Sequence, residues 1–195
     1  MTFTDIIIPT MPEHKYLEIL QRLGTKQAIF LYEKNNKKTF ETLQKKYDIK
    51  IRTGLINSKQ QHPLNITKGT RHNVDRYKYK LHSDFEHLNK KDSMHYRKSG
   101  MNQVIGKIMK EKNKTYIINH SKITTSKNPH IILGKIILNL KIARKYGFNV
   151  AIASMAKKPK HLRSKEQLKS MIAMLGYHKI ANQSTKTIHN YLQER

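Results

Sequence analysis

An α/β barrel is the fold class that the sequence predicts, for three reasons. Short apolar runs alternate with segments that carry apolar residues at helical spacing. Such alternation is typical of a parallel sheet with right-handed crossovers. The chain holds six or more of these units, which suits a small barrel better than a flat sheet. A length of 195 residues fits one domain, residues 1–195.

Three strands and two helices are predicted in the first 56 residues. Residues 2–8 form a β-branched run closed by a proline, which indicates a buried strand. Thr10 and Glu13 stand at capping-box spacing before a helix with one apolar face, and Gly24 ends that helix. The remaining elements are a strand at 27–32, a helix at 40–47 and a strand at 49–56.

The section from 57 to 99 is polar and shows no clean period. We expect at least one strand there, near 77–82, within an irregular, loop-rich section. Alternating Tyr77 and Tyr79 among lysine and arginine side chains predicts either stacking on unpaired bases or a strand with one buried face. This section leaves open an incomplete or irregular barrel.

The second half has clearer signals. A helical face begins at Met101, and a strand follows at 115–119. Asn128 and Pro129 predict the start of a long helix that ends at Gly147. After a strand at 149–153, Ser164 and Gln167 form a second capping box, and a last helix is expected at 184–192.

The charge favours a polyanionic partner. There are 39 Lys and Arg against 13 Asp and Glu, a net charge of +26, and nucleic acid is the first candidate. Because most of these cations are Lys, codon bias could supply part of the excess as a solvated surface. Their distribution favours function, since residues 112–165 contain 13 Lys or Arg and no Asp or Glu.

Several kinds of chemistry are excluded or disfavoured. The chain has no cysteine, which rules out disulfides and thiolate metal sites. It also has no apolar run of about 18 residues and no signal-peptide pattern at its start, so a cytoplasmic protein is expected. The histidines lack metal-ligand spacing, Asp84 and Glu86 are expected to be solvated loop acids, and Ser154 lies in no nucleophile elbow.

Binding chemistry remains, and arginines guide its placement because a guanidinium binds phosphate bidentately. Arg144 is near Lys141 and Lys145 at the end of the long helix, where the alternative is a solvated helix end. Arg163 precedes a helix start, in a loop that directly follows a buried strand. Together with Lys107 on an earlier helix, the candidate residues for contacts with the phosphates of a nucleic acid are Lys107, Lys141, Arg144, Lys145, Lys157, Lys158, Lys160 and Arg163.

The segments NLKIARKYGFNVAIASMA and HLRSKEQLKSMIAMLG, within 139–176, closely resemble the archaeal protein component 3 of ribonuclease P. This family is homologous to the thirty-kilodalton subunit of the eukaryotic enzyme. SGMNQVIGKIMKEKNKTYIIN, at 99–119, and the opening TDIIIP, which contains Asp5, are similar to the same family. The motifs Ala143 to Tyr146, Ala153-Ser154 and Leu162 to Ser164 occur in the family's order.

The resemblance implies a TIM-barrel-like fold related to the polymerase and histidinol phosphatase superfamily. It also implies an endoribonuclease complex that removes 5′ leaders from precursor tRNA. In that family the RNA subunit, with Mg²⁺, performs the hydrolysis, so this chain itself would be non-catalytic and bind no cofactor. The implied partners are ribonuclease P RNA, a small α/β partner protein, the other ribonuclease P proteins and precursor tRNA, with no membrane.

Two alternatives to this function stay open. One is a stand-alone metal-dependent phosphoesterase or nuclease of the same barrel superfamily. That superfamily's His-x-His signature after the first strand is absent, because Pro9, Thr10 and Met11 stand there. The other is a nonspecific nucleic-acid-binding protein, which would bind ribonuclease P RNA and random duplex equally at matched salt.

Overall fold

In the computed structural model, the described residues, 2–35, 40–60, 62–76, 78–88, 92 and 97–194, form a parallel sheet wrapped by helices. The seven strands follow chain order and every neighbouring pair is parallel. Their bounds are β1 Thr4–Ile7, β2 Gln27–Tyr32, β3 Lys50–Ile56, β4 Asn65–Lys68, β5 Leu81–Ser83, β6 Thr115–Asn119 and β7 Asn149–Ala153.

Helices pack against this sheet on its outer face and at one end. They are α1 His14–Arg22, α2 Glu41–Tyr47, α3 Arg71–Asp75, α4 Gln103–Glu111, α5 His120–Thr124, α6 Pro129–Tyr146, α7 Lys165–Met174 and α8 His178–Gln193. Short 3₁₀ turns lie at Phe85–His87 and Pro159–His161. The predicted α/β barrel is therefore confirmed, as a nearly closed barrel with one unsealed seam.

The seam lies between β7 and β1. Only one parallel bridge, Ile7 to Ala156, joins the two edges among the described residues, and the Ile8 amide donates to the Ala156 carbonyl at 3.1 Å. The interior is nevertheless continuous across the seam, because one apolar cluster contains Ile6 from β1 and Ala151 from β7. Since side chains alternate along a strand, the neighbours of these residues face the outer helices.

Helix α8 closes the amino-terminal end of the barrel. Ile188 and Leu192 belong to the interior cluster. The Thr187 hydroxyl donates to the Val150 carbonyl at 2.8 Å, and His189 Nδ1 lies 3.0 Å from Gln27 Oε1, which starts β2. These contacts lie where strands begin, so α8 crosses that end and fills it with apolar side chains.

Most predicted elements are confirmed, and three details are corrected. The first capping box is wrong: Glu13 is the N-cap of α1, and the Thr10 hydroxyl instead donates to the Lys157 carbonyl at 2.5 Å. Asn128 makes no side-chain cap bond, although Pro129 does occupy the first turn of α6. The last helix begins at His178 rather than Ser184, since its polar first turns carry little apolar periodicity.

The section after residue 56 holds more regular structure than its sequence suggests. The predicted strand is β5, but β4 and α3 lie beside it. Helix α5 was also missed. Both short helices have side-chain caps, because Thr70 accepts from the Asn73 amide at 3.3 Å and Asn119 accepts from the Lys122 amide at 3.2 Å.

Gly69 allows a close approach in this section. A methyl group there would overlap the ring of Phe85, which is fully buried and packs edge-on against Tyr116 at 5.5 Å between centroids. We predict that Gly69→Ala lowers the free energy of unfolding by about 1–3 kcal/mol, the usual cost of overpacking a core. Urea unfolding followed by circular dichroism measures this change.

Gly134→Ala is the matched control, because the overlapping group there is the guanidinium of exposed Arg97, which can swing into solvent. A mid-helix Gly to Ala change also gains up to about 1 kcal/mol of helix propensity. An equal loss of stability in both variants would contradict the role assigned to Gly69.

Candidate nucleic-acid interface

The cations predicted to contact RNA do not form one cluster. Lys157, Lys158, Lys160 and Arg163 follow β7 and lie at the carboxyl end of the barrel; we name them the carboxyl-end group. Lys141, Arg144 and Lys145 lie on the last turns of α6, immediately before β7 begins, at the amino end; they are the amino-end group. Lys107 is exposed on α4, next to Gly106, which packs against α6.

The loop that carries the carboxyl-end group is fixed to the first strand's loop. The Lys157 carbonyl accepts hydrogen bonds from the hydroxyls of Thr10 and Tyr16. The Arg163 amide donates to Ser154 Oγ at 3.0 Å. Ser164 then begins α7 with the complete capping box that the sequence predicts. The backbone of this loop is therefore anchored at both ends, while its lysines point to solvent.

Arg163 differs from its lysine neighbours. Its Nη1 donates to the carbonyls of Lys160 at 3.0 Å and Leu162 at 2.7 Å, so part of the guanidinium stabilises its own loop. Lys157, Lys158 and Lys160 are exposed, and in the part of the chain that the structure describes no carboxylate pairs with them. These three lysines are open to an anionic partner.

Two histidines near this group have lowered pKa values, mainly through burial and secondarily through the neighbouring positive charges. Burial lowers the pKa of His120 to about 4, with the Arg163 charge as a second cause. The pKa of His161 is also lowered, by burial and then by the charges of Lys160 and Arg163. Both imidazoles are therefore neutral at pH 7, and the end's positive charge comes from lysine and arginine.

At the amino end, Arg144 packs over the Tyr177 ring at 5.5 Å and Lys145 lies 5.4 Å from the ring of Tyr146. Cation–π contacts orient such side chains without neutralising them. Arg144 also lines a cavity of about 920 Å³ between α6, β7 and α8. Sequence reasoning placed Arg144 on a helix end but could not place the cavity.

Asp5 lies in the seam between the barrel edges. Its Oδ1 accepts from the amides of Ile6 at 2.8 Å and Ser154 at 2.7 Å, one from each side of the seam. Complete burial raises the pKa of this carboxyl to about 6, opposed by hydrogen bonds from Ser154 and Ile6. Ser154, which lies in no nucleophile motif, is fully buried here.

The expectation that Asp84 and Glu86 are solvated loop acids is wrong, because both are only 5% exposed. Asp84 pairs with Lys122 at 2.6 Å. Glu86 accepts from Asn139 Nδ2 at 2.8 Å and from the Tyr116 hydroxyl. Burial raises the pKa of Glu86 to about 7. The turn after β5 folds inwards onto α6, a placement that no local polar pattern could reveal.

The stacking hypothesis for the two tyrosines does not survive for Tyr79. That ring is 5% exposed, with Lys78 Nζ 4.9 Å from its centroid. It does not lie on a strand either, since β5 begins at Leu81. Tyr77 lies outside the described residues.

Among the described residues, no group of three or more His, Asp or Glu side chains is placed to hold a metal ion. Within the same residues, no helix is both long enough and apolar enough to cross a bilayer.

The chain matches one in the cryo-EM structure of archaeal ribonuclease P with mature tRNA, with a TM-score of 0.77. The two chains share one fold. Sequence identity is 15%, and the match covers 95% of this chain and 89% of that chain. No family model matches the sequence, and neither does any curated protein.

Asp5 should make stability depend on pH. Because its pKa is raised from 3.8 to about 6, the folded state holds the proton more tightly than the unfolded state. The free energy of unfolding therefore falls as pH rises from about 4 to 6, by on the order of 3 kcal/mol. We predict that Asp5→Asn flattens this part of the profile, measured by urea unfolding at each pH.

Glu86 gives the control, since its raised pKa makes stability fall up to about pH 7. Glu86→Gln should remove the fall between about pH 6 and 7 and leave the fall from Asp5 between about pH 4 and 6. If the Asp5→Asn profile ran parallel to that of the unaltered protein between pH 4 and 6, the raised pKa would be wrong.

Proposed function

We propose that this chain is a protein subunit of ribonuclease P, homologous to the thirty-kilodalton subunit of the eukaryotic enzyme. The structural match over 95% of the chain carries the proposal. The sequence resemblance at 139–176 supports it independently. This segment contains the end of α6, which carries the amino-end group, and the loop after β7, which carries the carboxyl-end group. The acid-free span from 112 to 165 overlaps the same segment.

The proposed role is to bind and brace the catalytic RNA. Exposed lysines and Arg144 at two ends of a rigid barrel neutralise phosphates and release condensed counterions. Mg²⁺ bound to the RNA performs the cleavage of precursor tRNA leaders, and this chain contributes no catalytic group. The complex includes a small α/β partner protein and other protein subunits, and it works in the cytoplasm.

Reconstitution tests this role directly. We expect that adding the chain to ribonuclease P RNA and the partner proteins raises leader cleavage at low Mg²⁺, because protein cations replace part of the screening by the metal. The rate of 5′-leader release is measured with and without the chain. The chain alone, with Mg²⁺ or Mn²⁺, should leave precursor tRNA intact. Specific cleavage by the chain alone would favour the stand-alone nuclease and contradict the proposal.

The carboxyl-end group gives a quantitative test. Each phosphate that a lysine neutralises contributes about 0.7 to 0.9 to the slope of log affinity against log salt. We therefore predict that Lys158→Ala with Lys160→Ala reduces the slope for ribonuclease P RNA by about 1.4 to 1.8. Filter binding or fluorescence anisotropy across KCl concentrations measures it.

The control removes the same charge from the barrel's side. Lys45 and Lys46 are exposed on α2, and Lys45→Ala with Lys46→Ala should leave the slope nearly unchanged. Equal reductions in both double variants would indicate diffuse attraction to the net charge. Equal affinity for random duplex and ribonuclease P RNA at matched salt would favour the nonspecific binder.

A further inference from the structure

Several cations that form no ion pair within the described ranges line the cavity at the amino end of the barrel. It has a volume of about 920 Å³ and lies between the end of α6, the start of β7 and α8. We name it the amino-end groove. Its lining includes Arg144 and three lysines that the sequence did not single out, Lys80, Lys179 and Lys186. Of the described lining residues, Glu194 alone is acidic.

These cations are available for a ligand. Arg144, Lys179 and Lys186 have no carboxylate within ion-pair distance in the described ranges. Lys80 Nζ donates to the Lys112 carbonyl at 3.0 Å, which holds it in place without removing its charge. Like charges around one concavity repel each other and focus a positive potential into it. An anionic occupant would relieve that repulsion.

The groove also offers aromatic and amide groups. Tyr177 lines it, with the ring fixed by a hydrogen bond from its hydroxyl to the Ile137 carbonyl at 3.2 Å. Asn149, Gln183 and Asn190 line it as well. Amide side chains both donate and accept, which suits the edges of bases, while tyrosine rings stack on base faces. Phosphate alone would need only the lysines.

The shape decides which nucleic acid fits. A volume of about 920 Å³ is within the range of about 300–1,000 Å³ that is usual for pockets holding one small ligand. A duplex presents its phosphates on a convex cylinder with its bases stacked inside. An unpaired strand can place a base within a concavity and its phosphates on the rim.

We infer that the amino-end groove binds an unpaired segment of RNA, with a base against Tyr177 and phosphates near Lys179 and Lys186. This inference rests on the proposed RNA-binding function and adds the class of RNA element that this end of the barrel takes. The groove lies at the opposite end from the carboxyl-end group, so the chain contacts two separate places on its RNA.

The test uses the full chain and two probes in fluorescence anisotropy, a labelled ten-nucleotide oligouridylate and a blunt RNA duplex. Lys179→Ala with Lys186→Ala should weaken oligouridylate binding and reduce its salt slope by about 1.4. Tyr177→Leu should weaken it at least about fivefold with the slope unchanged, since base stacking is uncharged. Tyr177→Phe, which keeps the ring, should stay within about twofold of the unaltered protein.

Lys45→Ala with Lys46→Ala is the matched charge control. A poly-glutamate decamer, added as a competitor against the labelled oligouridylate, tests whether the groove prefers an acidic peptide. Thermal unfolding of every variant checks that the fold is intact. Because the substituted lysines are on the surface, the lysine double variants still test the inference if Tyr177→Leu does not fold. The duplex should respond to Tyr177→Leu by less than twofold.

Three results would overturn the inference. One is equal loss of duplex and oligouridylate binding, which indicates backbone docking. Another is that poly-glutamate displaces the oligouridylate and that Tyr177→Leu weakens poly-glutamate binding as much as it weakens oligouridylate binding. That result would indicate that the groove binds an acidic protein segment. The third is unchanged oligouridylate binding in both groove variants while the chain still binds ribonuclease P RNA. Failure of the unaltered chain to bind that RNA at all would instead overturn the proposed function.

Discussion

The Asp5 carboxylate holds together the two edges of a sheet that has no full ladder between them. It accepts one amide from β1 and one from the chain just after β7, at 2.8 and 2.7 Å. A buried amide without an acceptor costs about 1–3 kcal/mol. The single Oδ1 of Asp5 avoids this cost for both amides, which strand pairing across the seam would otherwise satisfy. The barrel interior and the position of the loop after β7 both depend on this closure. The carboxyl-end group is carried on that loop, so the positions of its charges depend on the two hydrogen bonds that Asp5 accepts in the seam.

The net charge of +26 divides into cations of different kinds. Some lysines are structural: Lys114 is fully buried and donates to the carbonyls of Arg76 and Tyr79, and burial lowers its pKa to about 8. Lys135 is buried beside Asp92 at 3.2 Å. Others, such as Lys158 and Lys179, are exposed and unpaired among the described residues. A count of lysines therefore overstates the surface charge that is available to a polyanion.

The elements that the sequence predicted correctly are those that a pattern of neighbouring residues determines. The bounds of β2, β6 and β7 agree with prediction, because each is an apolar run between turn residues. Helix α5 and strand β4 were missed, since five and four residues are too few to display a period. The capping box at Ser164 was predicted, but that at Thr10 was displaced by a hydrogen bond to a residue far along the chain.

The same limit applies to the candidate site. The loop from Lys157 to Arg163 could be predicted because its cations are adjacent in sequence. The amino-end groove could not, since Lys80, Arg144 and Lys186 come from distant segments that only the closed barrel brings together. Burial of Glu86 was missed for a related reason: its partners, Tyr116 and Asn139, lie on other elements.

The closure of the amino-terminal end of the barrel by α8 has a consequence for the order of folding during synthesis. The seven strands that the described residues form all precede α8 in the chain, yet Ile188 and Leu192 of α8 complete the barrel interior. During synthesis on the ribosome, α8 cannot cover the inner apolar side chains of the strands until this helix has emerged. The same helix lines the amino-end groove, so that groove is built only when the interior is sealed. A chain that has not finished folding therefore lacks this groove, and a ligand that binds the groove would stabilise folded copies over unfolded ones.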